Sequence, residues 1–193
     1  MTTILNKRQL TIYIQELSYE IQLLFAAAKN YNNAINQLKE NSNNDQTADI
    51  QLQLLLSING IVGAAARISS LIYPKGLPKK DVKSSDRFRV ARGEELQKII
   101  GLGDSLLKDK SLRNYIEHFD EKIDKWARDP NIRSYVSKLF GNLDNIIGLE
   151  RKDVMRQIDI ENGVVTIPDE TFDIQQIINA ALELKAKIEN VNI

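Results

Sequence analysis

The longest regular pattern of apolar positions lies at the start of the chain. Between residues 6 and 40, apolar side chains recur at alternating spacings of four and three, as on the buried face of an amphipathic helix. These positions are Leu10, Ile14, Leu17, Ile21, Leu24, Ala28, Tyr31, Ile35 and Leu38. The pattern predicts one helix on the order of 50 Å long, which the polar, turn-rich segment 41–49 ends.

A second helix with the same spacing follows that linker. Its apolar positions are Leu54, Ile58, Ile61, Ala65, Ile68 and Ile72. Gly60, Gly63 and the three alanines at 64–66 make part of this helix thin, which allows another helix to approach closely. Two long apolar seams joined by a short linker predict an antiparallel helix pair.

Two shorter helices are predicted next. Pro74 and Pro78 end the second helix, and a third begins with Ser85 or Asp86 as its cap and runs to about residue 100. Its inward positions are Phe88, Leu96, Ile99 and Ile100. Glycines at 101 and 103 break it, and a fourth helix ends before residue 129. The apolar stripe of this fourth helix is Leu112, Ile116, Phe119, Ile123 and Trp126.

The remaining third of the chain has a different pattern. Residues 154–160 and 164–167 predict two short strands around the Asn162-Gly163 turn, and Pro168 ends the second. Residues 131–148 fit either a short helix or an ordered loop. A last amphipathic helix is predicted over 172–191, with apolar positions at Ile174, Ile177, Ile178, Ala181, Leu184 and Ile188.

These elements predict a mainly α protein. Residues 1–130 form an up-down four-helix bundle, and residues 131–193 form a C-terminal extension with a β-hairpin and a terminal helix. Because a lone hairpin is not stable in water, we expect the extension to pack on the bundle or on a dimer partner.

Composition excludes several kinds of chemistry. The 193 residues contain no cysteine and one histidine, which excludes disulfides, thiolate metal sites and cysteine nucleophiles. With so few ligand side chains, we expect no zinc site within one chain and no cofactor. A carboxylate site for magnesium stays open, but no acidic cluster stands out and we assign no metal ligand. The first residues run into a polar amphipathic helix rather than a signal peptide, and polar residues interrupt the apolar stretch 50–73. We therefore expect a soluble, cytoplasmic protein with no membrane segment.

The charges are balanced overall but unevenly distributed. The chain has 26 basic and 26 acidic residues. Residues 75–92 contain seven of the basic residues against only Asp81 and Asp86, a local net charge of plus five. Such a segment can hold phosphates, although an ordinary solvated loop would look the same. Its candidate phosphate-binding residues are Arg87, Arg89 and Arg92.

The single histidine, His118, lies on the polar side of the predicted fourth helix. Asn114, Glu117 and Glu121 share that side, off the apolar stripe. Arg113 precedes the histidine by five residues. A surface histidine without a role would fit the spacing alone, since so short a pattern often arises by chance.

This motif resembles the signature of the HEPN superfamily. In that signature an arginine is followed by a polar residue and, after three more residues, by a histidine, near the start of the last helix of a four-helix bundle. Here it reads Arg113-Asn114 to His118, and the resemblance covers about residues 6–128. It implies a small all-α domain, usually a homodimer. Active members of the family are metal-independent endoribonucleases of toxin, antiviral and RNA-processing systems, and others have lost catalysis. RNA or a nucleotide is then the implied substrate, and an antitoxin or nucleotidyltransferase partner is possible.

Metal-free RNA cleavage matches the residues of this motif. The ribose 2′-hydroxyl must lose a proton, the pentacoordinate phosphorane must be stabilised, and the leaving 5′-oxygen must gain a proton. We assign His118 as general base or acid, Arg113 as the phosphorane-stabilising donor and Asn114 as an orienting group. Glu121 is a candidate to pair with Arg113 or to hold the imidazole.

Helix geometry adds a requirement to this assignment. At about 100° per residue, Asn114 and His118 project within roughly 40° of each other, whereas Arg113 lies about 140° from His118. Two chains related by a two-fold axis would bring both histidines and both arginines to one cleft. That arrangement would also supply the acid and the base that one imidazole cannot provide together.

Two alternatives stay open at the level of sequence. One is a non-catalytic HEPN-like domain that binds a partner protein or a nucleotide. The other is a coiled-coil-like structural protein built on the long apolar seams, against which the thin part of the second helix argues.

Overall fold

The computed structural model describes residues 5–40, 47–78, 80–81, 83–109, 111, 114, 117–168 and 170–191. The protein is mainly helical, with a small four-stranded sheet and a C-terminal helix. The helices are α1 (Lys7–Glu40), α2 (Thr47–Ile72), α3 (Ser84–Ile100), α4 (Phe119–Ala127) and α5 (Ile174–Glu189). The strands are β1 (Leu139–Phe140), β2 (Gln157–Asp159), β3 (Val164–Ile167) and β4 (Glu170–Asp173).

The α1–α2 pair is antiparallel, as predicted. Glu20 of α1 accepts a hydrogen bond from Nε of Arg67 at 2.7 Å, and Ala27 faces Gly60. A Cβ at Gly60 would lie 2.9 Å from that of Ala27, so the close approach requires glycine there. At Gly63 the nearest atom to such a Cβ belongs to Arg67 of the same helix, at 3.4 Å. Of the two glycines, only Gly60 therefore allows α1 to approach α2 closely.

The apolar seams of both helices are buried as predicted. All six apolar positions named for α2 are buried, and so are those of α1 between Ile14 and Ile35. By length and composition α2 is apolar enough to cross a membrane, which its polar interruptions did not lead us to expect. However, 67% of its most apolar window is buried within the protein. Packing in the core accounts for this apolarity.

Helix α5 completes the core. Its six predicted apolar positions are all buried, and the helix packs against α1 and α2. It begins two residues later than predicted because the Asp173 carboxylate accepts the backbone N–H of Gln176 at 2.9 Å, as an N-cap does. Phe172, the predicted start of the helix, instead lies in β4 with its side chain buried.

The sheet has the order β1-β2-β3-β4, with β1 and β2 parallel and the other pairs antiparallel. The predicted hairpin is β2–β3, but its turn is longer than Asn162-Gly163 alone, because Asp159 pairs directly with Val164. The Asp159 carboxylate accepts backbone N–H groups of Glu161 and Asn162, both at 3.1 Å, which stabilises the four-residue connection. The ambiguous segment 131–148 is an ordered loop that contains β1.

One hydrophobic cluster joins the sheet to the helices. Ile158, Val165, Ile167 and Phe172 belong to the same buried cluster as the seams of α1, α2 and α5. The C-terminal extension therefore packs on the helices of the first 130 residues.

Helix α3 lies across the C-terminal end of α2. Leu96 and Ile100 are buried as predicted, but Phe88 is exposed, so its assignment to the core was wrong. The physical reason is the helix phase, since Phe88 lies about 120° around the helix from Ile100. The packed face instead contains Gly93, where a Cβ would lie 2.4 Å from Cδ of Pro74.

The predicted fourth helix differs most from expectation. Ser111, Asn114 and Glu117 are helical, but His118 has φ −126° and ψ 28° and forms the N-cap of the short helix α4. No residue of α4 is buried, so its apolar stripe does not enter the core. Leu112 and Ile116 of that stripe lie outside the described residues. Glu117, just before His118, forms an ion pair with Lys75 after the end of α2, and Lys122 of α4 forms one with Glu170 of the sheet. These tertiary contacts override the continuous apolar periodicity.

Candidate functional site

His118 stands at the start of α4 with 45% of its side chain exposed. Its backbone N–H donates to the Asn114 carbonyl at 3.1 Å, and its carbonyl accepts from the Lys122 N–H at 3.2 Å, so the chain continues from one helical segment into the next. The side chain makes no capping hydrogen bond. Because the fold does not use the imidazole as a cap, its nitrogens are available for other contacts.

Glu121 is the partner of the imidazole. Nδ1 of His118 lies 3.1 Å from Oε1 of Glu121, a distance at which an Nδ1–H donates to the carboxylate. In the neutral tautomer that makes this bond, Nδ1 carries the hydrogen and Nε2 keeps a lone pair directed away from the glutamate. Glu121 itself is 73% exposed, so solvent screens the pair.

The other residues of the motif are described only in part. Asn114 is half-buried in its helical turn. Glu117 forms an ion pair with Lys75 at 2.7 Å, which ties this turn to the segment after α2. Arg113 lies outside the described residues, so the prediction that it joins Asn114 and His118 stays a prediction.

The three candidate arginines of α3 have different surroundings. Arg92 donates to the Ser70 and Leu71 carbonyls at 3.1 and 3.2 Å, which caps the end of α2, and lies 5.2 Å from the ring centroid of Tyr13. Arg89 pairs weakly with Asp86 at 3.5 Å, and Arg87 is exposed. Within the described part of the chain, no hydrogen bond or ion pair joins these arginines to His118 or Glu121.

A groove that sequence analysis did not identify runs between α2, α4 and the chain leading into β2. Its volume is about 360 Å³. One wall is formed by α2 and the other by α4 together with residues 137–138 and 155–156. Its lining comprises Leu52, Leu55, Leu56, Asn59, Phe119, Ile123, Trp126, Ser137, Lys138, Met155 and Arg156. The described lining thus combines apolar, aromatic and basic side chains and contains no carboxylate.

Two cations in this groove have no acidic partner among the described residues. The Arg156 guanidinium lies over the Phe119 ring, with Cζ 4.8 Å from the ring centroid. Its Nε is buried and makes no hydrogen bond to the described residues. Lys138 is exposed and forms no ion pair with any described part of the chain. A half-buried arginine with no counter-charge among the described residues is typical of a site that binds an anion.

The aromatic wall of the groove is held rigidly. Nε1 of Trp126 donates to the Lys152 carbonyl at 2.8 Å, and the indole meets the Tyr135 ring edge-on at 5.4 Å between centroids. Lys122, one turn before, forms an ion pair with Glu170 of β4 at 2.8 Å. These contacts hold α4 against Tyr135, Lys152 and β4, although the helix contributes no residue to the apolar core.

Sequence analysis misread or overlooked the lining of this groove. Phe119 and Trp126 were assigned to a core stripe, and Lys138 and Arg156 were not singled out. No local signal distinguished a groove wall from a core stripe, because Phe119, Ile123 and Trp126 keep the spacing of a core-facing stripe. Among the described residues no cluster of three or more His, Asp or Glu side chains could hold a metal ion.

Comparison with known proteins gives no family. The chain matches no protein-family model, no curated protein and no solved structure.

Proposed function

We propose that the protein is a metal-independent endoribonuclease, with His118 as the proton-transferring group. The proposal takes the helical region of residues 1–130 as its frame, with α4 on the surface of the core rather than within it, and the cytoplasm as its setting. The observation that supports it is the exposed imidazole whose Nδ1 lies 3.1 Å from the Glu121 carboxylate. A carboxylate in this position orients an imidazole and stabilises the imidazolium that forms when Nε2 accepts a proton.

The proposed reaction is an internal transesterification of RNA. His118 accepts the proton of the ribose 2′-hydroxyl, whose oxygen then bonds to phosphorus as the bond to the 5′-oxygen breaks. The leaving 5′-oxygen takes a proton from an imidazolium. The products are a 2′,3′-cyclic phosphate and a 5′-hydroxyl end, and Arg113 and Asn114 are proposed to hold the phosphate.

A homodimer is part of the proposal, because one imidazole cannot serve as acid and base in the same step. Mixing active wild-type chains with inactive His118→Ala chains tests this arrangement. If one site needs the imidazoles of both chains, the mixed dimers are inactive, and the activity falls with the square of the wild-type fraction rather than in proportion to it. A monomer in dilute solution, measured by sedimentation, contradicts the dimer.

The decisive experiment is cleavage of a generic single-stranded RNA in EDTA. We expect His118→Ala to reduce the rate by about 10²–10⁴-fold, with an unchanged circular dichroism spectrum because the imidazole caps no helix. Asp120→Asn, which removes a neighbouring exposed carboxylate that His118 does not contact, is the matched control and should cleave like wild type. Equal rates for wild type and His118→Ala contradict the proposal.

A non-catalytic interaction domain is the second candidate. The observation that favours it is the set of exposed carboxylates around His118, since Glu117 and Glu121 are 43% and 73% exposed. Negative charges beside a cleft repel the phosphates of RNA. Complete inactivity of the wild-type protein in the cleavage experiment supports this candidate.

A further inference from the structure

The groove between α2, α4 and β2 combines features that a nucleotide requires. We propose that it binds a nucleotide unit, with the base against Trp126 and the apolar wall and the phosphate at Arg156 and Lys138. This inference goes beyond the proposed function, because it concerns a groove whose described lining includes neither His118 nor Glu121. It stands whether or not the protein cleaves RNA.

The charges of the groove indicate an anionic ligand. The chain as a whole has equal numbers of acidic and basic residues, yet the lining that the structure describes contains two cations and no carboxylate. Nε of Arg156 is buried without a hydrogen-bond acceptor among the described residues. Buried donors in proteins almost always have a partner, and the planar guanidinium matches the geometry of a phosphate.

The apolar side of the groove indicates a flat ligand. Leu52 and Leu56 of α2 remain 55% and 63% exposed and face a wall that contains Trp126 and Ile123. The hydrogen bond to Lys152 and the contact with Tyr135 hold the indole in place before any ligand arrives. A pre-ordered aromatic ring beside a basic group is a typical platform for a nucleobase.

Other occupants satisfy only part of the groove. An apolar helix of another protein would bury Arg156 without a counter-charge, which is unfavourable. A free inorganic phosphate would leave the apolar wall in contact with water. A nucleotide supplies both an anion and a planar apolar surface, and it can come from a free mononucleotide or from single-stranded RNA.

The test uses the protein's own fluorescence, because Trp126 is its one tryptophan. The wild-type chain is titrated with UMP, AMP and a 2′-O-methyl oligouridylate, whose blocked 2′-oxygen prevents transesterification, and with uridine and inorganic phosphate. We expect the nucleotides to quench the emission, and uridine and phosphate to bind at least about tenfold more weakly. Tenfold tighter binding of the oligomer than of UMP identifies RNA as the source, and equal binding identifies free nucleotides.

Variants of the two cations locate the phosphate. Arg156→Gln should weaken nucleotide binding by about 10- to 100-fold, the loss of a charge-assisted contact. Lys138→Ala should weaken it less, and its exposed position makes unfolding no concern. Lys29→Ala removes one exposed positive charge from α1, outside the groove, and is the matched control with unchanged affinity. Thermal melting checks that each variant is folded.

Two results would overturn the inference. One is the absence of quenching by UMP, AMP and the oligomer with wild-type protein. The other is equal affinity of the folded Arg156→Gln, Lys138→Ala and Lys29→Ala variants. Because the oligomer cannot be cleaved, a failure of the ribonuclease proposal leaves the binding result unaffected.

Discussion

The core formed by α1, α2 and α5 and the segment between His118 and Arg156 are stabilised by different interactions. The core is a continuous apolar cluster in which whole seams of leucine and isoleucine are buried. The His118–Arg156 segment contributes few buried side chains and is attached through particular contacts, such as the Trp126 hydrogen bond, the Lys122–Glu170 ion pair and the Arg156–Phe119 contact. The exposed imidazole and the basic groove both belong to this second region. Candidate functional groups therefore lie where burial does not fix the chain.

The largest effect should come from truncation within the core. Ile61 of α2 is fully buried, and we expect Ile61→Ala to lower the free energy of unfolding by about 3–4 kcal/mol. Leu56→Ala, on the same helix but with its side chain 63% exposed, should change it by less than about 0.5 kcal/mol. Urea unfolding of both variants measures the difference. Equal losses would contradict the burial described for α2.

The next effect concerns Asp153, which ties together the loops of the His118–Arg156 segment. Its buried carboxylate accepts the backbone N–H groups of Arg133 at 2.8 Å, Ser134 at 3.3 Å and Glu150 at 3.1 Å. Hydrogen bonds, that from Arg133 foremost, hold the pKa of Asp153 below its ordinary value of 3.8. Because the folded-state pKa is the lower one, the stabilisation is complete above pH 3.8 and is lost as the pH falls through that lower value.

We therefore expect Asp153→Asn to lower the melting temperature at pH 7, with a smaller difference from wild type at pH 2. An amide at this position would direct an N–H at a backbone donor, which explains the loss. Asp120→Asn, at an exposed position of α4, should have little effect at either pH. If Asp153→Asn melts below wild type by the same number of degrees at pH 7 and at pH 2, this account is contradicted.

A smaller effect should come from the Lys122–Glu170 pair. Both side chains are largely buried, 12% and 13% exposed, so Lys122→Ala leaves a carboxylate without its counter-charge. We expect a loss of about 2 kcal/mol, below the value for a fully buried pair because some water reaches both groups. Replacing the lysine by methionine and the glutamate by leucine together should be close to neutral.

The surface pair Lys108–Asp104 provides the control for that experiment. Its side chains are 62% and 96% exposed, and Lys108→Ala should cost less than about 0.5 kcal/mol. If both lysine variants unfold at the same urea concentration, the Lys122–Glu170 pair does not attach α4 to the sheet.

The two regions also differ in how well their sequence predicts them. The long seams of α1 and α2 and the six apolar positions of α5 were confirmed, because one face of a helix buried along its length produces a clear period. The assignment of Phe88 to the core was wrong because one aromatic residue in a short helix does not define the phase of its buried face. Strand β1 has only two residues, too few for an alternating pattern to be recognised. The second half of β4 was assigned to the helix that follows it directly.

The candidate site was predicted less well than the core. The position of His118 on a polar side was identified from its phase, but the helix break at this residue depends on contacts with the sheet and with Lys75 that no local pattern encodes. Arg156 is a positive charge that no described carboxylate pairs with, a property that depends on the three-dimensional arrangement of the chain. Trp126 was misread because its spacing is the same for a core stripe and for a groove wall.

The two edges of the sheet bear on how the protein behaves at high concentration. Strand β1 at one edge offers only two residues for pairing, and β4 at the other runs directly into α5 and begins with the ion-paired Glu170. A short or charged edge strand offers few backbone groups with which a strand from another molecule can pair. This architecture should resist polymerisation through its sheet, so that concentrated samples stay free of fibrils.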